Sequence, residues 1–448
     1  MVLFRLAASI LSIGPKKVLL GTASCVLAAA TAPLALELLA LTAGSLLPER
    51  IRRKRIHPVL PVNVARLAPL ALTVVVPAHD EQLLLSRCVR SLLADLPLDS
   101  SVLVVAHNCT DNTAQLAADC GADVLVLNDD GCQGKGAALR AGFRYAVEHG
   151  ARVLAVVDAD SVIAPGFSAA VAEAVIDGAE AFQARYVVLG GEGEASSRLT
   201  ALGFLGFNVI RPRGRTRLGL SAGIFGNGFG FLSSVLERVP YEASSLVEDL
   251  EYHLRLVDAG IRVEFLKNAT VASEMPHNPA AVLSQRARWE GGRLRIARIW
   301  LPRLLLRVFR GRLSLLEPAF ELACLPLATE VALLTVCLLL PVPWLRIYAL
   351  AAFTVILGHV ASAAAEGQGW WSAVRTLLSV PRYIVWKLSI LPRTLASSRR
   401  NAAWVRTTRE TAPLAPATVT AIDLRQKPAN EVSSTPLVIA ARSGKGPQ

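Results

Sequence analysis

Asp158 and Asp160 stand one residue apart, directly after the run Val153-Leu154-Ala155-Val156-Val157. That run is apolar and mostly β-branched, with the length and composition of a buried parallel strand. In open α/β sheets ligands collect at the carboxyl ends of strands. Two carboxylates leaving the sheet there can reach the same hard cation. Mg²⁺ or Mn²⁺ takes such oxygens and fills its other positions with phosphate and water. Asp160 reads as a metal ligand, with Asp158 beside it. An Asp-x-Asp alone is more often a pair of solvated loop acids or caps, so its company along the chain carries the weight.

Four further groups accompany it in order. Val74-Val75-Val76-Pro77-Ala78-His79-Asp80-Glu81 is a strand end turning into acids, and Ala106-His107-Asn108-Cys109-Thr110-Asp111 is another. Gly226-Asn227-Gly228 precedes the acidic pair Glu248-Asp249. Gln285, Arg288 and Trp289 follow inside a basic stretch. Arg288 offers a forked, permanent cation suited to phosphate, and Trp289 offers a flat face for a sugar. Asp249 opens a helical pattern, so on position alone a helix cap and a reacting carboxylate are equal readings. Gly131-Cys132-Gln133-Gly134-Lys135-Gly136 lacks the phosphate-loop spacing, because Gly136 stands where a hydroxyl is needed, which argues against an ATPase.

The elements that must hold these groups alternate. Strands are expected at Leu72–Val76, Val102–Ala106, Val124–Leu127 and Val153–Val157. Helices are expected at Leu83–Leu93, Thr113–Cys120, Gly136–His149 and Asp249–Ala259. That order means a mostly parallel sheet. Residues 189–225 look less regular, with a basic insert at Arg211-Pro212-Arg213-Gly214-Arg215. His79, His253 and His277 show no ligand spacing and read as structural or exposed.

Of 448 residues, 53% are hydrophobic and only 18% charged, which is too apolar for a wholly soluble protein. The net charge is +12, and the excess lies at 50–55, 286–312 and 375–409, beside apolar stretches. That placement favours an anionic membrane surface over nucleic acid. Spans are expected at Val18–Leu47, Ala319–Leu340 and Trp344–Ala365. Pro33 can kink the first. Glu37 there should face protein rather than lipid, and Glu321 and Glu330 are costly in the second. The Arg-rich 285–312 stretch and Trp370–Leu395 suit helices lying in the headgroup region. Seven cysteines without Cys-x-x-Cys or histidine spacing read as reduced thiols with no zinc site.

Taken in order, these groups resemble the membrane-bound family 2 glycosyltransferases, such as the cellulose and hyaluronan synthases and their smaller bacterial relatives. Gln-x-x-Arg-Trp after two acidic motifs is the most specific part. The resemblance covers about residues 70–405, since Pro381–Lys387 and Trp404-Val405-Arg406 also look like that family's tail. It implies an α/β fold of the GT-A (Rossmann-like) type that binds a nucleotide sugar, with three transmembrane helices and amphipathic interface helices. The divisions expected are an N-terminal transmembrane segment (1–50), a basic linker (51–70) and a cytoplasmic GT-A domain (71–290). An amphipathic interface helix (291–317), two transmembrane helices (318–365), an interfacial helix with basic tail (366–410) and a disordered C-terminus (411–448) follow.

The resemblance also implies roles. Asp249 would be the catalytic base, with Glu248 shaping the pocket. Pro77, Glu81, His107, Asp111, Lys135, Asp158, Gln285 and Arg288 would bind the donor. Gly226, Asn227, Gly228 and Trp289 would bind the acceptor, and Asp160 with Asp158 would hold Mg²⁺ or Mn²⁺. His107 departs from the pattern, since many relatives have Asp where the base of the nucleotide is held, and this weakens the assignment of uridine. The implied activity is inverting, metal-dependent transfer of a hexosyl or N-acetylhexosaminyl group, from a UDP-sugar to a membrane-associated lipid or glycan, in polysaccharide or cell-envelope biosynthesis. Three spans leave little material for a polymer channel, so addition to a lipid or lipid-linked acceptor is favoured over processive polysaccharide synthesis unless the chain oligomerises or has a partner subunit. A non-catalytic membrane scaffold is the reading of another class. By the positive-inside rule, the catalytic domain of this multi-pass protein of the inner membrane should face the cytoplasm.

Overall fold

The computed structural model describes residues 15–48, 70–128, 134–189, 195–243, 245, 247–274, 279–367 and 370–398. The basic cluster at 50–55, most of the linker 51–70, residues 131–133, His277, Trp404-Val405-Arg406 and the tail 411–448 lie outside them.

The four strands expected from apolar runs are present as β1 (Leu72–Ala78), β2 (Ser101–His107), β3 (Asp123–Leu127) and β4 (Val153–Val156). They pair in parallel, with β1 between β2 and β4 and β3 outside β2. Four more strands complete the sheet: β5 (Ser161–Ile163), β6 (Ala181–Leu189), β7 (Phe229–Leu232) and β8 (Val263–Glu274). The order is β3-β2-β1-β4-β7-β6-β8-β5, with β7 antiparallel to both β4 and β6, and β5 antiparallel to β8. The sheet is therefore mixed, because the second half of the domain returns across the first.

Apolar side chains bury both faces of the sheet. Helix Lys135–Glu148 lies on one face across β1 and β2. A Cβ at Gly142 would come within 2.7 Å of Val75 and 2.8 Å of Val105, so glycine there sets how closely the helix approaches. That approach carries Lys135, at the helix start, to the carboxyl ends of the strands.

Among the described residues, two helices are long and apolar enough to cross a membrane, Lys16–Leu46 and Pro343–Ala365. The second expected span, Ala319–Leu340, is broken. Leu313–Ala323 and Leu327–Leu339 meet at 74°. Pro326 sits in the break, where it lacks an N–H and its ring disfavours helix in the residue before it. The expected single interfacial helix at 370–395 is likewise three short helices, Trp370–Leu377, Val380–Ser389 and Leu391–Ser397. In the second and third, Pro381 and Pro392 stand in the first turn, where proline is tolerated.

Residues 195–218 are helical rather than irregular: Ala195–Leu205, a π turn over Gly206–Ile210, then Arg211–Leu218. Arg211 and Arg215 are buried against carboxylates distant in sequence. Arg211 and Arg215 both bond Glu37 of the N-terminal helix, the latter at 2.8 Å. Arg215 also bonds Glu317 and lies 3.2 Å from Glu321, which Arg293 meets at 3.5 Å. Glu37 thus faces protein, as its cost in lipid requires. Gly214 permits this docking: a Cβ there would lie 2.1 Å from the Leu41 carbonyl.

Helix Pro279–Phe309 runs unbroken for 31 residues, through the domain division expected at 290/291. Its apolar face packs with helix Glu248–Asp258 through Val247, Leu254, Val257, Ile296 and Leu304.

Candidate active site

β1, β2 and β4 end at one edge of the sheet, and each releases one of the acidic motifs there. Asp158 leaves β4 with its backbone N–H donating to Asn227 Oδ1 at 3.1 Å. Its carboxylate accepts from the Lys135 ammonium, which also donates to the Gly226 carbonyl. Gly226 has φ +76°, a conformation natural to glycine, and a Cβ there would lie 3.2 Å from the Asp249 carboxylate and 3.8 Å from Lys135 Nζ. Lys135, Asp158, Gly226 and Asp249 are therefore one cluster. Side-chain exposures of 32% for Asp158 and 24% for Lys135 leave the pair reachable from solvent.

Two glycines bring the acidic helix start into this cluster. A Cβ at Gly136 would meet the Ala243 carbonyl at 2.6 Å, so the Lys135 helix abuts the chain leading to Glu248. A Cβ at Gly292 would meet Val247 at 2.8 Å, so helix Pro279–Phe309 presses on the residue before Glu248. Arg288, one turn before Gly292, is near enough for its charge to act on Glu248. Trp289 packs its ring 6.2 Å from Phe204, which meets Tyr186 at 5.7 Å.

The electrostatics follow from this crowding. Desolvation and the charge of Asp249 raise the Glu248 pKa, against the pull of Lys135 and Arg288. Asp249 is raised by desolvation too, opposed by the Leu250 N–H and Lys135. Desolvation alone would lower Lys135, but Asp158, Glu248 and Asp249 outweigh it and hold the lysine above its ordinary value. Val247 is the N-cap of helix Glu248–Asp258, and Asp249 lies inside its first turn, so Asp249 is not the cap.

The remaining expected residues divide. Asp160 is 9% exposed, and its Oδ1 accepts from Ser161 Oγ at 2.9 Å. Gln285 is half-buried on the helix that carries Arg288. Asn227, expected to face an acceptor, is turned inward: it is 1% exposed, and its amide donates to Ser161 Oγ at 2.8 Å. Its carbonyl accepts from Gln183 at 2.7 Å. β7 enters the sheet centre next to β4, and Asn227, two residues before it, ties the strand ends together. Gly228, with φ +71°, packs where a Cβ would lie 2.9 Å from Val271.

Pro77 is half-buried at the end of β1, and His107 is buried at the end of β2, with its carbonyl 2.8 Å from His79 Nδ1. The Glu81 N–H donates to Thr113 Oγ1 at 2.8 Å, and Asp111 accepts from the N–H groups of Thr113 and Gln82. Asp80 and Asn108 both have φ +51°, so the two strand ends turn alike.

Ser161 and Gln183 were missed in the sequence. The only local signals were a hydroxyl directly after Asp160 and an amide inside an apolar strand run.

Asp158 and Asp160 supply hard oxygen donors, and the ammonium already resting on Asp158 marks a position where positive charge is stabilised. The donor set suits Mg²⁺ or Mn²⁺. Among the described residues, Asp80, Cys109 and Asp111 bring their ligand atoms within 4.8 Å of one another. There Asp80 accepts from the Thr110 N–H at 2.6 Å and Asp111 from two N–H groups, so both carboxylates already serve as loop ties.

Comparison with known proteins adds the family. Residues 69–292 match the family described as "Glycosyltransferase like family 2". A Bacillus subtilis (strain 168) protein named "Probable glycosyltransferase YdaM" is 24% identical over 234 residues, 49% of this chain and 54% of that protein. The chain thus spans about half the length of the curated relative it matches. Among solved structures, the mannosyltransferase PcManGT from Pyrobaculum calidifontis in complex with GDP-Man and Mn²⁺ aligns with a TM-score of 0.48 and 15% identity, over 85% of this chain and 97% of that one. Glucosyl-3-phosphoglycerate synthase from Mycobacterium tuberculosis, with Mn²⁺, UDP and glucosyl-3-phosphoglycerate, aligns at 0.34 and 18%, over 51% and 84%. Because the family match takes in half of the chain and coincides with the eight-stranded α/β unit, this protein belongs to glycosyltransferase family 2 and is an enzyme of the GT-A fold.

Proposed function

We propose that the enzyme inverts the sugar it transfers, taking it from a nucleotide sugar, UDP-linked, and placing it on a membrane-associated lipid or lipid-linked glycan. The observation that carries this reading is the cluster of Lys135, Asp158 and Asp249 around the Gly226 carbonyl. It sets a carboxylate that can take a proton beside a cation that can meet phosphate.

Transfer forms a bond from the acceptor oxygen to the sugar's anomeric carbon and breaks the bond from that carbon to the diphosphate oxygen. The acceptor hydroxyl is a very weak acid, so its proton must leave as the new bond forms. Asp249 receives it. Lys135 and Arg288 hold negative charge on the leaving diphosphate, Gln285 lies on the same helix as Arg288, and Trp289 gives the acceptor sugar a flat face. Glu248 shapes the pocket behind Asp249. Pro77, Glu81, His107 and Asp111 lie at the ends of β1 and β2, where the nucleoside would rest. Asp160 and Asp158 would hold Mg²⁺ or Mn²⁺, which would supply further positive charge against the diphosphate.

The bent helix pair and the two long apolar helices support an acceptor held at a bilayer, and the basic flanks favour a GT-A domain on the cytoplasmic side of the inner membrane. So few spans favour addition to a lipid-borne acceptor over threading of a growing polymer. The purified protein in lipid should be screened against a panel of nucleotide sugars for released nucleotide, with and without chelator and acceptor lipid extract. One donor should release nucleotide, faster with acceptor and only when metal is present. Release that a chelator does not change removes the metal, and release from no donor overturns the reading.

A further inference from the structure

The tail helix Val380–Ser389 reaches the helix that carries Arg288 and Trp289. The Lys387 ammonium pairs with Glu290, and the two side chains are only 8% and 23% exposed. Glu290 is the residue after Trp289. One turn earlier on the same helix, Arg286 donates to Thr200 Oγ1 at 3.1 Å. Thr200 belongs to helix Ala195–Leu205, which also supplies Phe204 against Trp289. The Trp386 ring lies 6.0 Å from Lys387 Nζ and 5.5 Å from the Tyr383 ring. A second tie joins Arg298 to Ser398 at 3.0 Å.

Successive helix residues point about 100° apart, since a turn takes 3.6 residues. Any roll of the long helix therefore moves Trp289 relative to Phe204 and Arg288 relative to Glu248. Gly292 against Val247 sets how closely the helix approaches but makes a smooth contact that permits roll. A buried ion pair at the neighbouring position opposes it, because its geometry is directional and separating it leaves a shielded charge alone. Arg286 on Thr200 holds from another element.

We propose that Lys387 is a positioning residue for sugar transfer, which holds Trp289 and Arg288 toward the site by pinning Glu290. The tail is then part of the catalytic assembly. This rests on the reading of Trp289 as the acceptor face.

The test uses the full chain in lipid, with donor affinity from calorimetry and transfer rates measured across acceptor concentration. Lys387→Met should lose roughly ten- to a hundredfold in kcat/KM for the acceptor, the scale expected of a small misplacement. Donor affinity should fall by a smaller factor than acceptor use, since Arg288 shifts together with Trp289 but is only one of the groups that meet the donor. Exchanging the charges, Lys387→Glu with Glu290→Lys, should restore most of the loss, which a purely structural role of either residue alone would not do. Normal acceptor kinetics in Lys387→Met overturn the proposal, and so does a loss that the exchange fails to repair. Trp289→Ala separates this inference from the reading beneath it. If Trp289→Ala is impaired while Lys387→Met is normal, only the role of Lys387 falls. If Trp289→Ala uses the acceptor normally, the acceptor face itself is misassigned.

Discussion

Asp249 can accept a proton only when it is ionised, and its surroundings make ionisation harder than usual. Desolvation raises its pKa, while the Leu250 N–H and Lys135 pull it down. The folded value lies above the ordinary one, so the base is lost as pH falls and the rate rises as pH climbs through that value. The acid limb of kcat against pH should therefore lie above about 4, the ordinary aspartate range. Lys135→Met removes a cation that lowers the pKa, so it should move that limb to higher pH at saturating donor; a limb that stays put or moves down separates Lys135 from the base. Asp249→Asn should lower turnover by about 10²–10⁴-fold with donor affinity intact, because a general base acts on the transition state and not on donor binding. Turnover within about threefold of wild type would falsify the base assignment.

Helix Arg211–Leu218 joins the catalytic domain to the apolar helices, and it does so through charge. Arg215 is 1% exposed and meets Glu37, Glu317 and Glu321, which come from two separate elements. Removing one side of such a cluster leaves carboxylates shielded from water without their cation. Arg215→Met should cost about 3–5 kcal/mol, read as a lowered unfolding midpoint of the full chain in detergent. Arg215→Lys keeps the charge but not the fork, so it should recover only part of that stability. A methionine variant within about 0.5 kcal/mol of wild type would mean that the cluster is merely tolerated. At Gly214 the constraint is space: Gly214→Ala puts a methyl group where the Leu41 carbonyl lies, and the helices must part.

For the whole molecule the open question is orientation. In the sequence, the basic residues at 303–312, at 375–400 and at 50–55 flank the apolar stretches. Positive charge of this kind stays on the cytoplasmic side. The Pro341–Pro343 turn should then lie outside. In a background cleared of native cysteines, Val342→Cys should react with an impermeant thiol reagent on intact cells and Ser100→Cys should not. The opposite pattern reverses the proposed topology.

β1, β2, β3 and β4 were legible in the sequence because parallel strands covered on both faces must be apolar throughout, and such runs are local. The order of Asp158-Ala159-Asp160, Glu248-Asp249 and Gln285-Arg286-Ala287-Arg288-Trp289 was legible for a related reason: chemistry constrains residue type at each place. The rest required partners that no local window contains. β6 carries Gln183 and Arg185, both buried, and reads as a strand only once Asn227 and Glu366 are there to meet them. Arg211 and Arg215 read as a basic insert in a less regular stretch until Glu37, 174 and 178 positions away, was brought against them. Asn227 was implied to bind the acceptor, and the structure buries its amide against Ser161 beside the paired β4 and β7. Local sequence determines what a segment can form and which chemistry its residues carry. Which polar group is exposed and which is buried with a partner is decided by contacts made across the whole chain, because desolvation is favourable only where the partner already stands.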